Sequence, residues 1–442
     1  MSIQGPTDYQ HPFPNYQLND LHQAMDYNAA GQPIIRVSTG SSGYGNTVIN
    51  GNTGTDAFGR LRVTQPFTLF DSQNRYLNGN QFAQKTAGSG AFTYDANSSS
   101  FTMAVTGANG DSVISQCRTV QVYQPGKSLL IMNTFAMGTL QAGCRQRVGY
   151  FTSGNGVYFE ADGADLYMVI RSSVTGSVVN TRIAQADWNQ DPMDGSGPSG
   201  ITLDPTLTQI FWTDIEWLGV GSVRVGFVIN GVFYICHVFN HANQAGNTNV
   251  YMTTATLNCR YEITNTAATA GAATMRQICS TVISEGGYNP VTTVQYVTNG
   301  TTAYKVPTGN VKFNLASIRL GNAYPDAAVV PSQIDLLPID VRYGQFQLIL
   351  NASNAIANTQ WANVTNSVVQ TNEARFQVGD GTMVYSGLSS SRDEVEISED
   401  VRRRLQLGRD VDGVSDTLSL VVAYTQNNGD VLYNFGWEEA SN

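Results

Sequence analysis

The chain has 442 residues, with 34 acidic and 24 basic side chains and a formal net charge of −10. That balance, without any Lys/Arg block, excludes a sequence-independent nucleic-acid binder, which depends on neutralising phosphates. No run approaches the roughly 18 apolar residues of a membrane span, so no membrane insertion is expected. Charged residues make up only 13% and hydrophobic ones 41%, so cores can form while polarity rests on Asn, Gln, Ser and Thr. The start, MSIQGPTDYQHPFPN, has no basic or apolar signal-peptide region, and export by that route is not expected.

Residues 1–66 read as an extended N-terminal attachment arm. They contain a short helical pattern over 21–27, a strand-like 33–37, and a Gly/Ser/Thr/Asn stretch over 38–54 without core-forming power. Asp56-Ala57-Phe58-Gly59-Arg60-Leu61-Arg62-Val63 follows, a small turn feeding an alternating strand, with Phe58, Arg60 and Arg62 as candidate anchors. Such sparse apolar clusters cannot offset the backbone entropy of ordering an arm alone. Contacts with other subunits are expected to supply the difference.

From 67 to 290 the pattern is β throughout, with almost no helical period. Residues 129–135, 148–151, 156–160 and 166–171 read as strands. Asn230-Gly231 between two further strands is a type I′ hairpin signal, because both central residues need positive φ. Many short strands of this kind predict an all-β, concanavalin-like or jelly-roll sandwich. Residues 291–442 form a second, C-terminal β-sandwich region, its clearest strands at 346–351 and 418–424. It carries a short charged helix near Ser398, whose charges read as a solvated face or a subunit contact.

The sharpest chemical candidate is Trp212-Thr213-Asp214-Ile215-Glu216-Trp217. On a strand, Asp214 and Glu216 share a face about 7 Å apart, within the range of carboxyl pairs in glycosidases. The segment resembles the E-I-D-I-E strand of family 16 glycoside hydrolases, themselves jelly rolls, yet Trp212 stands where that family has its nucleophilic Glu. An amphipathic strand with two outward polar residues explains the same pattern, and no catalytic activity is expected. His237 and His241 are four apart at a strand end, where helical zinc spacing does not converge. Asp191, Asp194 and Asp204 are scattered through the 187–205 loop as possible calcium oxygens, too sparse to predict a metal. No cofactor fingerprint stands in a suitable context. Five widely spaced cysteines read as buried thiols. Aromatic residues, among them Tyr150, Phe151, Tyr158 and Phe159, divide between core and sugar-stacking roles. Trp188, Trp212, Asp214, Glu216 and Trp217 are the candidate glycan contacts.

The 56–63 segment, with Pro66-Phe67-Thr68-Leu69-Phe70-Asp71-Ser72, resembles a recurring stretch of tailed-bacteriophage virion proteins, especially of aquatic phages. Arg171-Ser172-Ser173-Val174, Gln185-Ala186-Asp187-Trp188-Asn189, and the run from Asp214-Ile215-Glu216-Trp217-Leu218-Gly219-Val220-Gly221 to His237-Val238-Phe239-Asn240-His241-Ala242-Asn243 also look like that family. The resemblance implies a structural virion component, assembled in the host cytoplasm. It would be displayed on the particle as a fibre, knob or decoration of capsid, neck or tail, and held there by its arm. The expected partners are other virion proteins and further copies of the chain, a trimer among the forms, with host-surface glycan as a second partner class. Adhesin and, after it, glycan depolymerase are the alternative readings.

Overall fold

The computed structural model describes residues 25–27, 33–35, 66–76, 81–339, 343–390 and 393–440. The candidate anchors Phe58, Arg60 and Arg62 lie outside them. Met25–Tyr27 is not helical. It is a strand paired antiparallel with Pro33–Ile35, Met25 opposite Ile35. Proline and β-branched residues on the second strand favour extended backbone over the helix read from the apolar spacing.

Residues Thr64–Asn442 form one compact unit, built from two pairs of antiparallel sheets. In the first pair, a seven-stranded sheet runs Val179–Ala184, Asp165–Ser172, Gly156–Asp162, Cys144–Phe151, Cys259–Asn265, Ser112–Cys117, Phe82–Ala87. Facing it, an eight-stranded sheet runs Val232–Phe239, Val223–Ile229, Gln209–Ile215, Leu129–Ala136, Ala273–Ser284, Ser100–Val105, Ala91–Asp95, with Phe67–Ser72 paired to Ala273–Ser284. The chain passes back and forth between these layers, the winding of a jelly roll. Alternation fixes the core: Val148, Tyr150, Val157, Phe159, Met168 and Ile170 of one sheet meet Ile131, Phe211, Ile215, Val225 and Phe227 of the other. Asn230 and Gly231 have φ of 52° and 79°, as the type I′ turn requires.

The second pair comprises a five-stranded sheet centred on Gly429–Ala440 and Ala328–Pro338 and a six-stranded sheet centred on Thr417–Tyr424. Their facing sides, including Trp437, Phe435 and Ile334 against Leu348, Leu418 and Leu420, make a separate core. The all-β expectation holds in both halves. The chain passes from the first pair to the second between Ala273–Ser284 and Thr293–Thr298.

Several contacts tie the halves together, among them the following. Arg118 of the first is ion-paired with Asp416 of the second. Phe67, at the start of the first sandwich, stacks on Tyr288, just past its end, with centroids 5.5 Å apart, and the Arg403 guanidinium lies 4.2 Å over Phe67. Arg403 belongs to the helix Glu399–Arg404. That helix is not only a solvated face, because Arg402 also pairs with Glu438, while Leu405 and Leu407 just beyond it are buried.

Candidate functional site

The strand Gln209–Ile215 places Trp212 and Asp214 on the side away from the sandwich core, but that side is covered. Asp214 has no exposed surface. Its Oδ1 accepts from Ser128 Oγ at 2.9 Å, and its Oδ2 accepts from Arg224, which the register sets directly opposite. Trp212 is buried edge-on to Phe233 and donates its Nε1 hydrogen to the Tyr234 carbonyl. Glu216 lies beyond the end of the strand, so the shared face expected for the two carboxyls does not extend to it. Trp188 is a core residue, edge-on to Phe159 and donating to the Ile183 carbonyl. Trp217 is half-buried against Tyr123. The proposed stacking surface is therefore corrected: four of the five candidates are at most 9% exposed, and a sugar ring cannot reach them.

Asp191, Asp194 and Asp204 of the 187–205 loop each serve a nearby turn. Asp191 accepts the amides of Met193 and Ser199, Asp194 those of Ser196, and Asp204 those of Thr206. Among the described residues no group of three His, Cys, Asp or Glu side chains converges.

The outward face of the seven-stranded sheet carries a layer that sequence reasoning missed. Register aligns Tyr167, Glu160, Arg147 and Glu262 in one row across neighbouring strands. Arg147 bridges both acids, Nε to Glu160 at 2.6 Å and Nη1 to Glu262 at 2.8 Å. Arg182 reaches Glu160, and Arg260 reaches Glu262. Burial would raise the Glu262 carboxyl, but Arg260 and Arg147 more than offset it and hold it below its ordinary value. Beside this row Phe151 and Tyr158 pack at 4.5 Å, with Arg171 over both rings. Glycines opposite make the room, since a Cβ on Gly156 would fall 2.1 Å from that of Phe151. Phe151 and Tyr158 are fully buried, Arg147, Arg171 and Arg260 nearly so, and Arg182 is exposed at the margin. The layer is closed over its rings, and both glutamates have arginine partners. Its signal was present as Arg145-x-Arg147, Tyr158-x-Glu160-x-Asp162 and Arg260-x-Glu262, polar residues on the register opposite the core.

An open groove of about 640 Å³ lies instead at the sandwich edge, between Asp165–Ser172 and Val179–Ala184 on one side and Val232–Phe239 with the 240–251 loop on the other. Its polar lining includes Thr175, Thr181, Asn189, Asn240, Asn247 and Asn249 with His237 and His241. Among the described residues no Asp, Glu, Lys or Arg lines it. Asn189 is fixed by a two-way bond with the Val238 backbone, and its own amide N–H donates to His237 Nδ1. His241 stacks on Tyr251 at 3.8 Å. Burial holds His237 down to about 4 and also lowers His241, so both rings are neutral at pH 7. The groove offers amide, hydroxyl and imidazole hydrogen bonds and apolar rims at Val179 and Val250.

No family model and no curated protein matches the sequence. Solved structures that are similar include the Emp47p carbohydrate recognition domain, at 6% identity over 47% of this chain and 96% of that one, TM-score 0.29. The CBM2 module of an evolved Dit from Lactobacillus casei BL23 phage J-1 is similar at 8% identity over 51% and 99%, TM-score 0.33. An endo-β-galactosidase from Clostridium perfringens is similar at 9% identity over 55% and 69%, TM-score 0.32.

Proposed function

We propose that the chain is a structural component of a tailed-phage particle whose first sandwich binds neutral glycan in the edge groove. The uncharged lining carries the binding part of this reading. Amides and hydroxyls on a scaffold of paired strands suit sugar hydroxyls, while an acidic or phosphorylated ligand would need the cation the lining lacks. The same lining favours binding over cleavage, since glycoside hydrolysis needs two carboxyls flanking the bond. The particle role rests on the 56–72 segment and on the arm composition, which asks for neighbouring subunits.

A glycan array probed with the full chain tests the binding. Neutral hexose-containing glycans should bind, and Thr181→Arg, which puts a cation into the groove, should abolish the signal without lowering the melting temperature. No binding to any neutral glycan would remove this part of the reading. The particle role is tested separately, by peptide mass spectrometry of purified virions of the phage that encodes the chain. Its absence from particles would refute that role. Deleting residues 1–50 should leave the sandwiches folded by circular dichroism and prevent incorporation.

A further inference from the structure

Cys117 and Cys259 stand face to face inside the first sandwich and have no part in the groove. Cys117 is the last residue of Ser112–Cys117, and Cys259 is the first of the neighbouring Cys259–Asn265. Their strands pair with Arg260 opposite Gln116, and one further step sets Cys259 opposite Cys117. Opposed residues of antiparallel strands have Cα atoms about 4.5–5.5 Å apart, inside the roughly 4.4–6.8 Å that a disulfide spans. Both side chains turn into the core with no exposed surface. The Cys259 N–H donates to Cys117 Sγ at 3.1 Å, so this sulfur already lies against the facing strand. The thiols also perturb each other: contact with Cys117, and then burial, hold Cys259 well above its ordinary value. The chain neighbours Gln116, Arg118, Leu257 and Asn258 line a cavity of about 410 Å³, room for a small molecule beside the strand ends that carry the pair.

We propose that Cys117 and Cys259 are a cross-strand disulfide site, closed by a small-molecule disulfide such as oxidised glutathione. The thiolate of one cysteine attacks the small disulfide, whose S–S bond breaks and releases one small thiol, leaving a mixed disulfide on the protein. The second cysteine loses its proton and attacks the protein sulfur of that bond, and the second small thiol leaves. Two protein thiols are thereby oxidised by two electrons, and one small disulfide is reduced to two thiols that carry away the protons. Opening of the strand ends admits the reagent, so closure is slow in the folded chain and fast during refolding. The bond joins positions 142 apart in sequence, which restricts the unfolded chain strongly and raises the melting temperature by about 5–10 °C.

The full chain is equilibrated in oxidised glutathione, both folded and during refolding, then unfolded and alkylated without reduction and mapped by peptide mass spectrometry. The expected result is a linked peptide pair containing Cys117 and Cys259, with Cys144, Cys236 and Cys279 alkylated. A rise in melting temperature that the C117S/C259S variant lacks should accompany it. Separately alkylated or glutathione-capped Cys117 and Cys259 after full equilibration would overturn the proposal, as would a bond from either to another cysteine. The map is read on the native sequence, so it decides the matter even where the double variant does not fold.

Discussion

The outward face of the seven-stranded sheet and the edge groove sit on the same sandwich and differ in almost every physical respect. The face is crowded with arginine, glutamate and aromatic rings, yet Glu160 and Glu262 are ion-paired, Arg171 is hydrogen-bonded, and each ring has a guanidinium or a second ring above it. The groove contains only residues of modest chemical character, yet it is open. Functional-looking composition marks the rigid layer, and ordinary amides mark the accessible one. Concentrated charge in a dry setting demands partners, and satisfying them closes the surface.

This contrast can be broken at several points. Arg147→Ala leaves Glu160 and Glu262 without their shared cation in a buried row, and should cost about 3–5 kcal/mol in denaturant melts. A loss under 1 kcal/mol would mean the layer is wetter than its burial implies. Gly156→Ala drives a Cβ into Phe151 and should cost about 2–4 kcal/mol by the same measurement. Acid should act on both the face and the groove, because His237 and His241 are held neutral by burial and the unfolded chain gains their protons as pH falls below about 6.5. The Glu262 carboxyl is depressed in the folded state, so its contribution is present above the unfolded value near 4.3 and is lost as pH falls through the folded one. Melting midpoints should therefore fall between pH 6 and pH 3, with a shallower dependence in Glu262→Gln. In the groove, Thr181→Arg should change stability by less than about 0.5 kcal/mol while lowering glycan affinity at least about tenfold, near 1.4 kcal/mol. The smallest expected change is His241→Ala, about fivefold in affinity, the worth of one hydrogen bond of about 1 kcal/mol. Titration calorimetry reads both groove variants.

Sequence made the strands and the Asn230-Gly231 turn legible because their causes are local: alternation, β-branching, and two adjacent residues able to hold positive φ. It also placed Asp214 on the non-core side correctly. Alternation cannot say whether that side is bare, and the Arg224 that neutralises Asp214 arrives only through the pairing of two strands. The same limit hid the Arg147 row, whose members come from four strands and meet only in register. The groove had no local signature at all. Thr181, Asn189, His237 and Asn249 are brought together by the meeting of two sheet edges and two loops. Where the chain was misread as helix, at 25–27, an apolar spacing too short to define a period was overruled by strand pairing.

The pairing of Phe67–Ser72 with Ala273–Ser284 has a mechanical consequence. Phe67 lies opposite Ser284, so the chain enters and leaves the first sandwich at the same point, where Phe67, Tyr288 and Arg403 stack. Tension between a tether on the N-terminal side and a load borne by the C-terminal half would pass directly across this junction. The sandwich would hang beside the line of force as a pendant, its groove undistorted, until the junction itself peeled open one strand pair at a time.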